Sequence, residues 1–203
     1  MTHIDNVVHH ALNILRDITK VEKHLKDAVV FTAFSHEMCD HKYILTTPDD
    51  ALAKMRTKLA SLGVADRVIA AVCSVVPVIS LSRRLAHGDP KFANELEMIT
   101  YNVVSDADML ESLGAVGIVR THMYQCAKGR TASDALEHIQ TVLIRCNQLM
   151  IHPYAKKEAH ERLARMQRIC AELVAERMPP TSPPTLPPAT DAQDDDQKDG
   201  GED

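Results

Sequence analysis

The stretch Phe34-Ser35-His36-Glu37-Met38-Cys39-Asp40-His41-Lys42-Tyr43 concentrates the side chains most able to do chemistry in this chain of 203 residues. An imidazole stands beside a carboxylate at the end of an apolar run, with Asp40-His41 close behind. Asp106-Ala107-Asp108 supplies further carboxylates much later. Imidazole and carboxylate groups gathered around a divalent cation would polarise water and neutralise the charge of a phosphoryl group. On a helix His36 and Asp40 share a face, whereas Glu37 lies about 100° round from His36. One cation therefore meets both His36 and Glu37 only at a helix end or in a groove, with other helices completing the set. The groups available for that are His3, His9 or His10 on a first helix and Asp106 or Asp108 on a fifth, and spacing alone does not choose among them. The competing reading is plain: His36 and Glu37 end a helix at the surface, where charged groups commonly lie.

The elements that must position these residues read as helices throughout. Ile4, Val7, Val8, Ala11, Leu12, Ile14 and Leu15 form a helical stripe over 3–18, and Leu25, Val29, Val30, Ala33 and Phe34 form one over 22–38. Pro48-Asp49-Asp50 opens a third helix that stops at Gly63. Residues 66–85 are apolar on most sides, and Pro77 predicts a kink or a break within them. Further helices follow over 91–110, 113–126, 133–150 and 153–177. No alternation with turn pairs marks a hairpin. The expectation is one all-α domain over 1–177, with about seven to eight helices.

Composition narrows the function classes. Trp is absent and only Phe and Tyr, at 3% together, supply aromatic side chains, so the nine Met residues help to fill the core. Five scattered cysteines without a Cys-x-x-Cys pair read as reduced thiols in a cytoplasmic, reducing compartment. No apolar run approaches the ~18 residues of a membrane span, so no membrane partner is expected. Basic residues are dispersed without aromatic interleaving, which disfavours nucleic acid, and a phosphate-binding Gly-rich loop is absent. The formal charge of −5 hides an asymmetry, because residues 178–203 carry seven acids against Lys198 and six of the ten prolines. That segment reads as a disordered acidic tail, solubilising in the simplest case and otherwise a contact for a basic partner. A homodimer through helix 153–177 is compatible with its length, although no motif marks it. His24, His87, His138, His152 and His160 read as surface histidines.

The chain resembles the HD-domain superfamily of metal-dependent phosphohydrolases, and within it the small stand-alone proteins. Their pattern runs His-x-x-Arg-Val-x-x-Asn-Ala, then an apolar run into Leu-His-Asp, then Asp-Ala-Asp-Arg-Leu-Asp-Ala-Ile-Gly-Ala-Ile-Gly-Ile-Ala-Arg-Thr. Here His3-Ile4-Asp5-Asn6-Val7-Val8-His9-His10-Ala11, Ala33-Phe34-Ser35-His36-Glu37, Ile79-Ser80-Leu81-Ser82 and Asp106 through Thr121 match it in turn. The resemblance implies a helical HD bundle in which His3, His36, Glu37 and Asp108 hold one divalent cation (Mn, Mg, Co, Fe or Ni). Metal-bound water would attack a small phosphorylated substrate, in the first instance a nucleotide. Asp106 would lie beside the ligands or face the substrate, with exchange between Asp106 and Asp108 left open. Glu37, Asp106 and Lys42 are then the groups nearest the chemistry, and Arg120, Arg83, Arg84 and His122 the candidates for binding phosphate. For Lys42 and these four, a solvated surface position fits as well.

The chain departs from this pattern at defined places. Glu37 stands where the family has Asp, moving the carboxylate outward by about 1.5 Å. Asn6 replaces the early Arg, His10 the Asn, and Met109 the Arg that follows Asp108. His3 also lies close to the start of the chain, where fraying would loosen it. A degenerate HD domain, kept as a binding or scaffold module, is the alternative these departures raise.

Overall fold

The computed structural model describes residues 2–39 and 47–176, and among these it is helical without a strand. Lys42 and Asp40 fall outside the described residues, as does the acidic tail.

Helix α1 (His3–Arg16) begins under a capping box. Thr2 Oγ1 accepts from the Asp5 amide at 3.2 Å while Asp5 accepts from the Thr2 amide at 2.8 Å. The first turn, and His3 with it, is thus pinned against the fraying its position invites. Helix α2 (Lys23–Ser35) is shorter than the apolar run predicts. Ser35 Oγ donates to the Phe31 carbonyl at 2.6 Å and His36 Nδ1 to the Ala33 carbonyl at 2.8 Å, and the chain tightens into a 3-10 turn over His36–Cys39. Helix α3 (Pro48–Ser61) starts where expected, with Thr47 as its cap and Pro48 in its first turn.

Pro77 breaks the fourth predicted helix rather than kinking it. Helix α4 (Asp66–Val75) passes through a 3-10 turn at Val76–Val78, and the chain turns by 75° into α5 (Leu81–His87). This bent pair has the length and composition of a broken membrane span, but no single helix is long and apolar enough to cross a membrane among the described residues. Helix α6 (Glu95–Glu111) starts four residues later than predicted because Asn94 caps it, accepting from the Glu97 amide at 3.0 Å.

Helix α7 (Gly114–Ala127) follows a tight turn that needs both of its glycines. Gly114 takes φ +78°, and a Cβ at Gly117 would stand 2.2 Å from the Ser112 carbonyl oxygen. Helix α8 (Ala132–Thr141) carries a second capping box, Thr131 with Asp134. The predicted run to Met150 instead divides into a 3-10 turn at Leu143–Arg145 and the short α9 (Cys146–Leu149), and α10 (Pro153–Ala175) closes the fold.

Helix α6 is the axis of the bundle, with α1, α2, α4 and α10 packed on it. Val7, Ile14, Val29, Val103, Ala107 and Leu110 fill the main core, and Met55, Leu59, Val68 and Val72 a second one between α2, α3 and α4. Fully buried Ala33 and Ala107 keep side-chain bulk low where α2 and α6 approach the ends that carry His36 and Asp108. The all-α single domain expected from periodicity is the architecture found.

Candidate metal centre

Four side chains from three separate regions meet where α1 begins, α2 ends and α6 passes. His3 Nε2 lies 3.2 Å from His36 Nε2, 3.6 Å from Glu37 Oε1 and 3.4 Å from Asp108 Oδ1, and His36 Nε2 lies 3.7 Å from the same Asp108 oxygen. Donors about 2.1 Å from a shared cation stand roughly 3.0 Å apart at right angles and roughly 3.4 Å apart in a tetrahedron. These separations need little adjustment to accept an ion. Among the open choices for the first helix, the structure brings His3 to this point. His9 bonds Asn13 at the surface, and His10 belongs to a different network described below.

Local structure prepares these atoms. A carbonyl only accepts, so the Nδ1 of His36 carries the hydrogen given to Ala33, which leaves Nε2 with its lone pair toward His3 and Asp108. His3 differs: its Nδ1 is buried without a hydrogen-bond partner. The 3-10 turn puts His36 and Glu37 at a helix end, the one setting in which adjacent residues on a helix reach a common point. Burial alone would raise the Asp108 carboxyl. The hydrogen bond from His3 and the neighbouring His36 and Arg120 outweigh it and hold the group below its ordinary value, as an anion. Burial, with the Asp108 charge adding to it, pushes the Cys146 thiol up to about 12. Two imidazole nitrogens and two carboxylate oxygens fit a first-row divalent ion.

The other predicted residues scatter. Asp106 does not face this cluster: its fully buried carboxylate accepts from the amides of Ile151 at 3.0 Å and His152 at 2.9 Å and from His152 Nδ1 at 2.8 Å. It ties α6 to the start of α10, which corrects its assignment as a substrate-facing acid and that of His152 as a plain surface histidine. Arg84 is buried, bonded through Nε to Asp89 at 2.5 Å and reaching Ser105 at 3.4 Å, so its guanidinium is already engaged. Arg83 and His122 are exposed, the latter beside Cys126 Sγ at 3.6 Å. Arg120 alone of the four is both exposed and near enough to act on Asp108.

Sequence reasoning missed a buried group one helical turn behind the donors. Asn6 Nδ2 donates to Glu111 Oε2 at 2.8 Å, and Arg162 Nη1 donates to Glu111 Oε1 at 3.2 Å and to the Leu110 carbonyl at 2.9 Å. Arg162 Nη2 lies 2.8 Å from His10 Nε2, closer than Glu111 Oε1 at 3.4 Å. A guanidinium only donates, so His10 accepts there and gives its Nδ1 hydrogen to Tyr154 Oη at 3.1 Å. The spacing offered a clue, since Asn6 follows His3 and Glu111 follows Asp108 by three residues each.

No protein-family model matches the sequence, and no curated protein matches it significantly. Solved structures do. Bacillus subtilis YpgQ is 24% identical, with 86% of each chain covered and a TM-score of 0.67, and its complex with ADP superposes equally well. An HD-superfamily hydrolase from Bacillus thuringiensis is 23% identical over 86% of this chain and 84% of that one, with a TM-score of 0.65. A protein from Listeria innocua reaches a TM-score of 0.68 at 20% identity over 86% of both chains. At these identities the likeness is one of fold, and the fold of this chain is that of the HD domain.

Proposed function

We propose that this protein is a metal-dependent phosphohydrolase acting on a small phosphorylated compound, with a nucleotide as the substrate class. The observation that carries the reading is the convergence of His36, Glu37 and Asp108 on His3 Nε2, at 3.2, 3.6 and 3.4 Å. A divalent cation held there supplies a polarised water as nucleophile and draws charge from the phosphoryl group. The chain's own part is to hold that ion. His36 presents an oriented lone pair, Asp108 stays ionised, and Glu37 adds a second carboxylate. Arg120 stands nearby as an exposed guanidinium suited to an anionic substrate. The ADP complex of YpgQ, a protein of the same fold, supports the choice of a phosphorylated ligand.

A second reading keeps the site as a binding module without turnover. The glutamate at position 37, and the absence of the family's basic side chains at Asn6 and Met109, favour it. Metal analysis of purified protein, together with phosphate release from a nucleotide panel in Mn²⁺, Mg²⁺ or Co²⁺, separates the two. Stoichiometric metal with turnover abolished in His36→Ala supports the hydrolase. Metal without turnover supports the binding module, and neither metal nor turnover overturns the hydrolase and leaves a degenerate binding or scaffold domain.

A further inference from the structure

Two departures from the family pattern on α1, and a third on α6 where Glu111 stands for the second Asp of Asp-Arg-Leu-Asp, are not independent. Where that pattern has Arg, Asn and Asp, this chain has Asn6, His10 and Glu111, and all three side chains belong to one buried network with Arg162. Asn6 is neutral and shorter than Arg, while Glu111 is longer than Asp by one methylene. The cation that α1 lacks at position 6 is supplied instead by α10. From there Arg162 binds α6 twice, through Glu111 Oε1 and the Leu110 carbonyl, and α1 once, through His10. Glu158, one turn earlier on α10, lies 3.7 Å from Arg162 Nε and steadies it.

We infer that Arg162, acting through Glu111, is the positioning residue of the metal centre: it locks α1 to α6 in the register that brings His3 onto Asp108. Asn6 and Glu111 each lie one turn, about 4.5 Å of helix rise, from His3 and Asp108. A slip of α1 along α6 therefore moves His3 by the full amount of the slip. Metal sites tolerate only about 0.2 Å of error in ligand distance, so even a small slip is costly. Nothing within hydrogen-bond reach holds His3 Nδ1, which leaves the backbone of α1 to set that ligand's place. Arg162 touches none of the four donors, and its role is exerted through the helices. The inference rests on the metal-site reading above.

The test is Mn²⁺ affinity by titration calorimetry, with amide hydrogen exchange across residues 3–10, in the full chain. Arg162→Gln should weaken Mn²⁺ on the order of tenfold or more, the usual range for groups that orient ligands from behind, and speed exchange in α1. Asn6→Arg placed on top of Arg162→Gln restores a guanidinium to Glu111 from the α1 side and should return affinity to within about threefold of the original chain. Arg162→Lys keeps the charge but loses the fork, and should fall between; it carries the test should Arg162→Gln fail to fold. Unchanged affinity and exchange in Arg162→Gln overturn the inference, as does a loss in a folded variant that Asn6→Arg does not recover. If the original chain takes up no Mn²⁺, the metal-site reading fails, and exchange in α1 still decides the strut on its own.

Discussion

Replacing Glu111 by Gln removes one buried negative charge while keeping nearly the same shape, and its effect can be sized from the structure. Burial by itself would raise the Glu111 carboxyl, yet its neighbours bring it from 4.5 down to about 2: Asn6 and Arg162 donate to it, and His10, accepting from Arg162, holds that guanidinium in place. A displacement of that size corresponds to about 3 kcal/mol of folding stability at neutral pH, at roughly 1.4 kcal/mol per unit. Because the folded value is depressed, this stability is fully present above pH 4.5 and is lost as pH falls from there toward 2. Linkage leaves about 1.4 kcal/mol of it at pH 3. Urea denaturation followed by far-UV circular dichroism, on both proteins at pH 7 and pH 3, reads the gap between them. The expected gap is about 3 kcal/mol at pH 7, shrinking by about 2 kcal/mol at pH 3. Other carboxylates, including those of the capping residues Asp5 and Asp134, titrate in both proteins alike and drop out of the difference. A gap of the same size at both pH values would mean instead that shape rather than charge holds Glu111 in place.

Other substitutions probe the parts separately. Gly117→Ala forces its Cβ into the Ser112 carbonyl, a backbone atom that has nowhere to go, and should cost about 3 kcal/mol or more by the same urea measurement. Asp106→Ala strands the amides of Ile151 and His152 along with the His152 ring; about 2–4 kcal/mol of stability should disappear at neutral pH. Arg120→Ala should leave the melting temperature within about 1 °C, since the side chain is exposed, yet raise the KM for a phosphorylated substrate about tenfold. A lowered melting temperature would recast Arg120 as structural.

How far the sequence carries depends on the kind of physics involved. His3, His36, Glu37 and Asp108 were singled out through the family resemblance, which the glycines of the Gly114–Gly117 turn help to carry, each answering a backbone demand; residue type and spacing alone left His9, His10 and Asp106 as open alternatives. The helices were legible from apolar periodicity and Pro77 from its missing amide. The end of α2 was not, since Ser35 and His36 stop it with side-chain hydrogen bonds that no propensity encodes. Asp106 shows an error that was avoidable. Two residues apart on a helix point about 200° away from each other, so Asp106 and Asp108 could not serve one site. Arg162 was out of reach for a different reason. Its partners Asn6, His10 and Glu111 lie far away in the chain, and pairing of this kind appears only when the helices are docked.

Whether His3, His36, Glu37 and Asp108 together form one cation site is decided by calorimetric titration of the chain with Mn²⁺. One ion should bind per chain, and His36→Ala should weaken it at least about a hundredfold while the far-UV spectrum is unchanged. Absence of saturable binding, or binding that His36→Ala leaves intact, would mean that these four side chains hold no common ion.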